Sequence, residues 1–147
     1  MIVSAFFLLI LTLTFPVFFI PKKYKYHYSL FILICGVVLT SMWSFILFDG
    51  RVETLQVPLN LRILQNSLHL TIDRISAFFI VVINITVITG FLYARGYLRP
   101  YYQSKNSLRF SIHYLSYLWL YFSMVLVVIL RDGLPFLIAW EIMALSS

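Results

Sequence analysis

Charge is scarce in this sequence. Of its 147 residues, 11% are Asp, Glu, Lys or Arg, and 62% are hydrophobic. A soluble domain carries roughly a quarter charged residues and is about half apolar. The shortfall excludes an ordinary water-soluble enzyme and points to a membrane protein. Cysteine is nearly absent: Cys35 is alone, inside an apolar run. That excludes an intrachain disulfide, and no Cys or His spacing suits a metal. Acid is scarcer than base, with 5 Asp and Glu against 11 Lys and Arg, giving +6. In a soluble chain such a surplus would suggest nucleic acid. Here the basic residues stand between apolar runs, where they act as topology signals, and no nucleic-acid partner is expected. The N-terminal run lacks the positively charged start of a signal peptide and any A-x-A-like site after it. Its positive charges follow, at Lys22, Lys23 and Lys25, which suits a retained span with its N-terminus outside.

What the sequence has in abundance is long apolar runs. Four of them, about 1–20, 29–48, 75–93 and 112–130, hold no Asp, Glu, Lys or Arg. Each is about 19 or 20 residues, which at about 1.5 Å per residue covers the ~30 Å hydrocarbon core. A fifth run, 134–147, would cover only about 21 Å and is too short to cross. The expected fold is an all-α membrane protein, one membrane-embedded segment over 1–147. It has four complete transmembrane helices plus a truncated fifth. The segments 21–28 and 94–111 carry seven basic residues and no acid, whereas the other two connections balance four basic residues with four acids. The positive-inside rule then makes 21–28 and 94–111 cytoplasmic loops in a cytoplasmic (inner) membrane. Tyr24, Tyr26, Tyr28, Tyr93 and Tyr97 suit an interfacial belt.

The second connection is patterned. Leu55, Val57, Leu59, Leu61 and Ile63 alternate with polar residues, and so do Leu68, Leu70 and Ile72, with turn residues "LQNS" between. Period-two alternation about a turn predicts a β-hairpin, placed on the outer face between the second and third helices. Pro58 limits its first strand to an edge. Asp73 is placed as the cap of the third helix, and Asp132, with Pro135 close behind, as the cap of the fifth.

One acid sits in an apolar run: Glu141 in "PFLIAWEIMALSS". Counted from Asp132 it lies about 13 Å along the fifth helix, near the bilayer midplane. An ionised group there costs about 2.5–3.5 kcal/mol on insertion scales. A buried carboxylate that a partner can retune is what a proton relay requires. A neutral Glu making a packing hydrogen bond is the structural alternative. No Lys or Arg is expected within any span to pair with it. The small residues Ala144, Ser146 and Ser147 would let another helix approach closely.

Two stretches carry a family likeness: "LTIDRISAFFIVVINITVITGFLYARGYL" and "FSMVLVVILRDGLPFLIAWEIMALSS". With Asp73 and 76–79 at the start of the third helix, Tyr93, Gly96 and Tyr97 at its exit, Met124 in the fourth, and Trp140-Glu141 in the fifth, the chain resembles the N-terminal part of the antiporter-like membrane subunits. That family includes the large proton-pumping subunits of complex I, the Mrp antiporter subunits and the membrane subunits of energy-converting NiFe hydrogenases. The ending "WEIMALSS" is most similar to the hydrogenase type, with Ala144 where Ser is usual. The resemblance implies that Glu141 is the proton-translocation residue, with Trp140, His113 and Asp73 as possible supporting residues. In the family this Glu pairs with a Lys on a later helix that has no counterpart here, so the chain is expected to be a fragment. The implied function is proton translocation in a redox-driven complex of hydrogenase or formate hydrogenlyase type. The alternatives are a complex I or Mrp antiporter subunit, or a small non-transporting structural membrane protein. The chain is expected to be a non-catalytic subunit that holds no cofactor. Fe–S clusters and NiFe or flavin would reside in partner subunits, and the bilayer is its other partner.

Overall fold

Three apolar runs close into helices: α1 (Lys22–Phe48), α2 (Arg74–Leu98) and α3 (Ser107–Ile129). All three are long and apolar enough to cross a membrane. A fourth helix, α4 (Gly133–Ser146), has 14 residues. The computed structural model describes residues 14–48, 53–58, 67–102 and 106–147. The expected span 1–20 therefore lies mostly outside the described residues. Its end forms a 3-10 turn, Phe15–Phe18, with Pro16 at the start.

The helices are longer than the apolar runs that mark them. α1 begins at Lys22 rather than at residue 29, α2 continues to Leu98, and α3 begins at Ser107. The expected loops 21–28 and 94–111 are thus largely helical, apart from 103–105, which lie outside the described residues. The physical reason is that no Gly or Pro interrupts "KKYKYHY", and the Pro21 carbonyl accepts the Tyr24 N–H at 2.9 Å to start the helix. Long basic side chains extend a membrane helix beyond its apolar window by keeping their heads in water. At the other connection, α2 passes into a 3-10 turn, Arg99–Tyr102, containing Pro100.

The buried face of α1 runs through Lys25, Ser29, Ile32, Leu33, Val37, Thr40 and Ser44, the spacing of one helical stripe. On α2 the stripe is Ser76, Ile80, Asn84, Val87 and Phe91. α1 packs against α2 and α3, and α2 against α3. Aromatic rings fill one half of this three-helix bundle. Tyr26 stacks on Phe91 at 5.3 Å, and Phe91 meets Tyr114 at 5.8 Å and Tyr117 at 5.4 Å. α4 packs chiefly on α3. Its buried residues are Pro135 and Ala139, one turn apart.

Strands β1 (Glu53–Pro58) and β2 (Ser67–Ile72) pair antiparallel, with Leu55 opposite Leu70 and Val57 opposite Leu68. β1 stops at Pro58, which has no N–H to donate. The residues joining the strands, 59–66, lie outside the described ones. Leu70 also bridges to Leu130 just past α3, and both are buried. This pins the small sheet to the end of the bundle where α2 begins and α3 finishes. At the same corner Asp73 caps α2. Its Oδ1 accepts the Ser76 N–H at 2.7 Å, and its Oδ2 accepts from Arg131 at 2.8 Å. Asp132 occupies the cap position of α4 but makes no side-chain capping bond, contrary to the sequence expectation. A cap side chain bonds the second or third helical N–H. The third residue here is Pro135, which has none. The backbone carbonyl of Asp132 instead accepts the Phe136 N–H at 3.0 Å.

Candidate functional site

Three polar side chains meet inside the bundle, one from each long helix. Thr40 stands eight residues before the end of α1, Asn84 ten residues into α2, and Tyr121 eight residues before the end of α3. All three therefore lie about 12–15 Å in from the sheet end. The Thr40 hydroxyl lies 2.9 Å from the Tyr121 hydroxyl. Tyr121 donates to Asn84 Oδ1 at 3.1 Å, and Asn84 Nδ2 donates to Ser41 Oγ at 2.9 Å and Thr40 Oγ1 at 3.1 Å. Thr40, Asn84 and Tyr121 are at most 4% exposed. The cluster is neutral, and its members supply each other with hydrogen bonds that lipid or aliphatic side chains cannot. Such interhelical bonds contribute about 0.6 kcal/mol each, with values up to about 1.7.

Glu141 stands eight residues into α4, about 12 Å from its start and so at a similar depth. The sequence places this carboxylate at bilayer mid-depth, and no other part of the described chain covers it. Glu141 is exposed, as is Trp140 beside it. The reason is geometric. α4 is apolar around its whole circumference, so periodicity cannot choose its packed face. The seam against α3 forms through Pro135 and Ala139, among the smallest apolar side chains of the helix. Glu141 follows Ala139 by two residues, about 200° around the axis. It shares the outer surface with Leu137, Ile138 and Leu145, which are 53%, 52% and 85% exposed. Among the described residues it has no ion-pair partner.

The other residues singled out from sequence lie elsewhere. His113 is six residues into α3, about 9 Å from the opposite, basic end. It borders a small cavity of about 220 Å³ with Tyr97, Tyr101 and Arg109, and its Nε2 is buried without a hydrogen-bond partner. Asp73 sits at the sheet end. The Ser76 backbone N–H, joined by the Arg131 guanidinium, holds its carboxyl below the ordinary carboxylate range, against the opposing effect of partial burial. Glu141, His113 and Asp73 thus occupy three separate levels and are not brought together.

Two features escaped the sequence reading. One is the Thr40–Asn84–Tyr121 cluster. The other is Lys25, expected in a loop but 0% exposed inside α1. Its ammonium donates to the Ser111 hydroxyl and, at 3.3 Å, to the Ser107 carbonyl. Lys25 thus stands about 4.5 Å into α1, in the helical extension before the apolar run 29–48, and no Lys or Arg enters that run. The missed signal was phase. Stepping back from Thr40 by fours and threes through Gly36, Leu33 and Ser29 reaches Lys25 on the packed face.

No family model matches this chain, and no curated protein matches it at a meaningful level.

Proposed function

We propose that this chain is a proton-translocating, antiporter-like membrane subunit of a redox-driven complex, of hydrogenase or formate hydrogenlyase type, with Glu141 as its proton-carrying residue. The observation that supports this reading is the position of Glu141: halfway along an apolar helix, on its outward face. A bare ionised carboxylate against lipid at that depth costs about 2.5–3.5 kcal/mol. Water, a cation or a partner helix over that face removes the penalty, and changing such a neighbour changes the proton affinity of the group. That is the coupling a relay needs. The neutral cluster of Thr40, Asn84 and Tyr121 holds α1, α2 and α3 in fixed register at the same level, a rigid wall on which α3 carries α4. In this reading the basic end of the bundle is cytoplasmic and the two-stranded sheet lies on the outer face. Electron-transfer cofactors belong to partner subunits.

The test is Glu141→Gln in the assembled complex. Redox-driven acidification of membrane vesicles is expected to stop while subunit composition is unchanged. Undiminished acidification by an assembled variant overturns the proposal. A second reading, a structural membrane protein without transport, is favoured by the neutrality of the polar cluster and by the lack of a cation beside Glu141 among the described residues. Under it, Glu141→Leu leaves the activity of the host complex intact and stabilises the protein by removing an unpaired acid.

A further inference from the structure

At the end of the bundle away from the sheet, the start of α1, the end of α2 and the following 3-10 turn surround a cleft of about 860 Å³. Lys22, Lys23, Arg95 and Arg99 line it, with His27 beside them, and among the described residues no carboxylate does. The absence of acid is built into the chain, since 21–28 and 94–111 contain none. Lys23, Arg95 and Arg99, with Lys22 on the same wall, repel one another, and an anion in the cleft relieves that repulsion. The guanidinium of Arg95 is held over the Tyr26 ring at 5.2 Å, which orients its planar fork. Lys22 is tied to the wall, donating to the Tyr102 carbonyl and lying over the Phe110 ring at 4.8 Å. Gly96 leaves the cleft open, because a side chain there would meet no atom within 4 Å.

We propose that this cleft binds a phosphate group, and that the phosphate is carried by the headgroup of an anionic phospholipid. Guanidinium forks match phosphate oxygens in bidentate geometry, and basic pockets between membrane helices are suited to lipid headgroups. The lipid source follows from what adjoins the cations. Leu92 lines the same cleft and is 53% exposed, and Tyr93 next to it is 76% exposed. An apolar wall continuous with a cationic mouth, at the end of a membrane-length helix, suits a molecule with a charged head and an acyl tail. A soluble phosphate uses only the mouth. This inference stands apart from the role proposed for Glu141.

The experiment places the purified protein in nanodiscs of phosphatidylcholine and phosphatidylglycerol in equal amounts. Native mass spectrometry then reads which lipid stays bound. A parallel arm titrates inorganic phosphate against the protein in neutral detergent and follows thermal unfolding. The wild type is expected to retain phosphatidylglycerol over phosphatidylcholine. Arg95→Gln and Arg99→Gln should each weaken retention about fivefold, and together roughly thirtyfold. Gly96→Leu keeps every charge and fills the cleft, so it should also abolish the preference, and it guards against misfolding of the arginine variants. A response to inorganic phosphate that is lost in the same variants, without lipid preference, supports the phosphate chemistry and moves its source to solution. Unchanged lipid retention in all variants together with no phosphate response overturns the proposal and leaves the cleft to a carboxylate-bearing protein segment.

Discussion

Asn84 and Glu141 stand at similar depth on neighbouring parts of the molecule, and their surroundings are opposite. Asn84 is 4% exposed and bonded to hydroxyls of Thr40, Ser41 and Tyr121, drawn from two other helices. Glu141 is exposed on a helix whose own packing uses Pro135 and Ala139 instead. The neutral polar group is consumed in holding the bundle together. The ionisable one is left available to something outside the bundle. A group serving only stability belongs in the first setting, because an unpaired carboxylate at mid-depth is a cost with no internal return. That contrast is the physical reason for proposing a functional role for Glu141 and an architectural one for Asn84.

The contrast can be broken in a graded way. The largest effect is expected from Glu141→Gln, which should abolish redox-driven proton translocation in vesicles of the assembled complex. Its stability should stay within about 0.5 kcal/mol of wild type, as for other exposed substitutions. Asn84→Leu should do the reverse. It removes the amide that joins Thr40 and Ser41 of α1 to Tyr121 of α3 and should cost about 2 kcal/mol, measured by denaturation in mixed micelles. If Asn84→Leu proves free of cost, the cluster does not hold the helices. Tyr121→Phe removes one hydroxyl and should cost about 1 kcal/mol by the same assay.

The smallest effect concerns the sheet end. The carboxyl of Asp73 is held below its ordinary range by the Ser76 N–H and by Arg131. A lowered folded-state pKa means that the ionised form stabilises the native protein above the unfolded value, about pH 4. That contribution is lost as pH falls from there through the folded value. The ion pair is partly exposed, at 47% for Arg131 and 37% for Asp73, so solvent screening limits it to a few tenths of a kcal/mol. Asp73→Asn should therefore weaken protection of the Ser76 amide from hydrogen exchange at pH 7, and the difference should shrink as pH is lowered below about 4. A difference that stays constant down to acid unfolding would show that charge is irrelevant to the cap.

Much of the bundle was legible because hydrophobic runs are one-dimensional. Runs 29–48 and 75–93 each fall within one long helix, and run 112–130 does so except for its last residue, Leu130. Asp73 was legible as a cap because capping is local, a matter of three residues. The failures came where a neighbour decides. Asp132 lost its capping role to Pro135. The basic residues of α1 were read as a loop because charge ends an apolar run without ending a helix. The Thr40–Asn84–Tyr121 cluster depends on three helices aligning, and no segment of the sequence reports that alignment. Glu141 was legible as an anomaly, but the side of α4 it occupies was not.

Of the four complete spans that the sequence predicted, the three that lie among the described residues were determined by it alone, together with a strongly basic end free of acid and a single acid within the short apolar helix α4. Composition and spacing suffice for these, since they concern only how much apolar length and charge each segment carries. The tertiary structure alone decided that Lys25 is buried, that Asn84 is satisfied, that four cations converge on one cleft, and that Glu141 faces outward. Each of these depends on which faces pack. On α4, apolar all round, packing follows the fit of Pro135 and Ala139 against α3, and Glu141 takes the opposite side as a consequence.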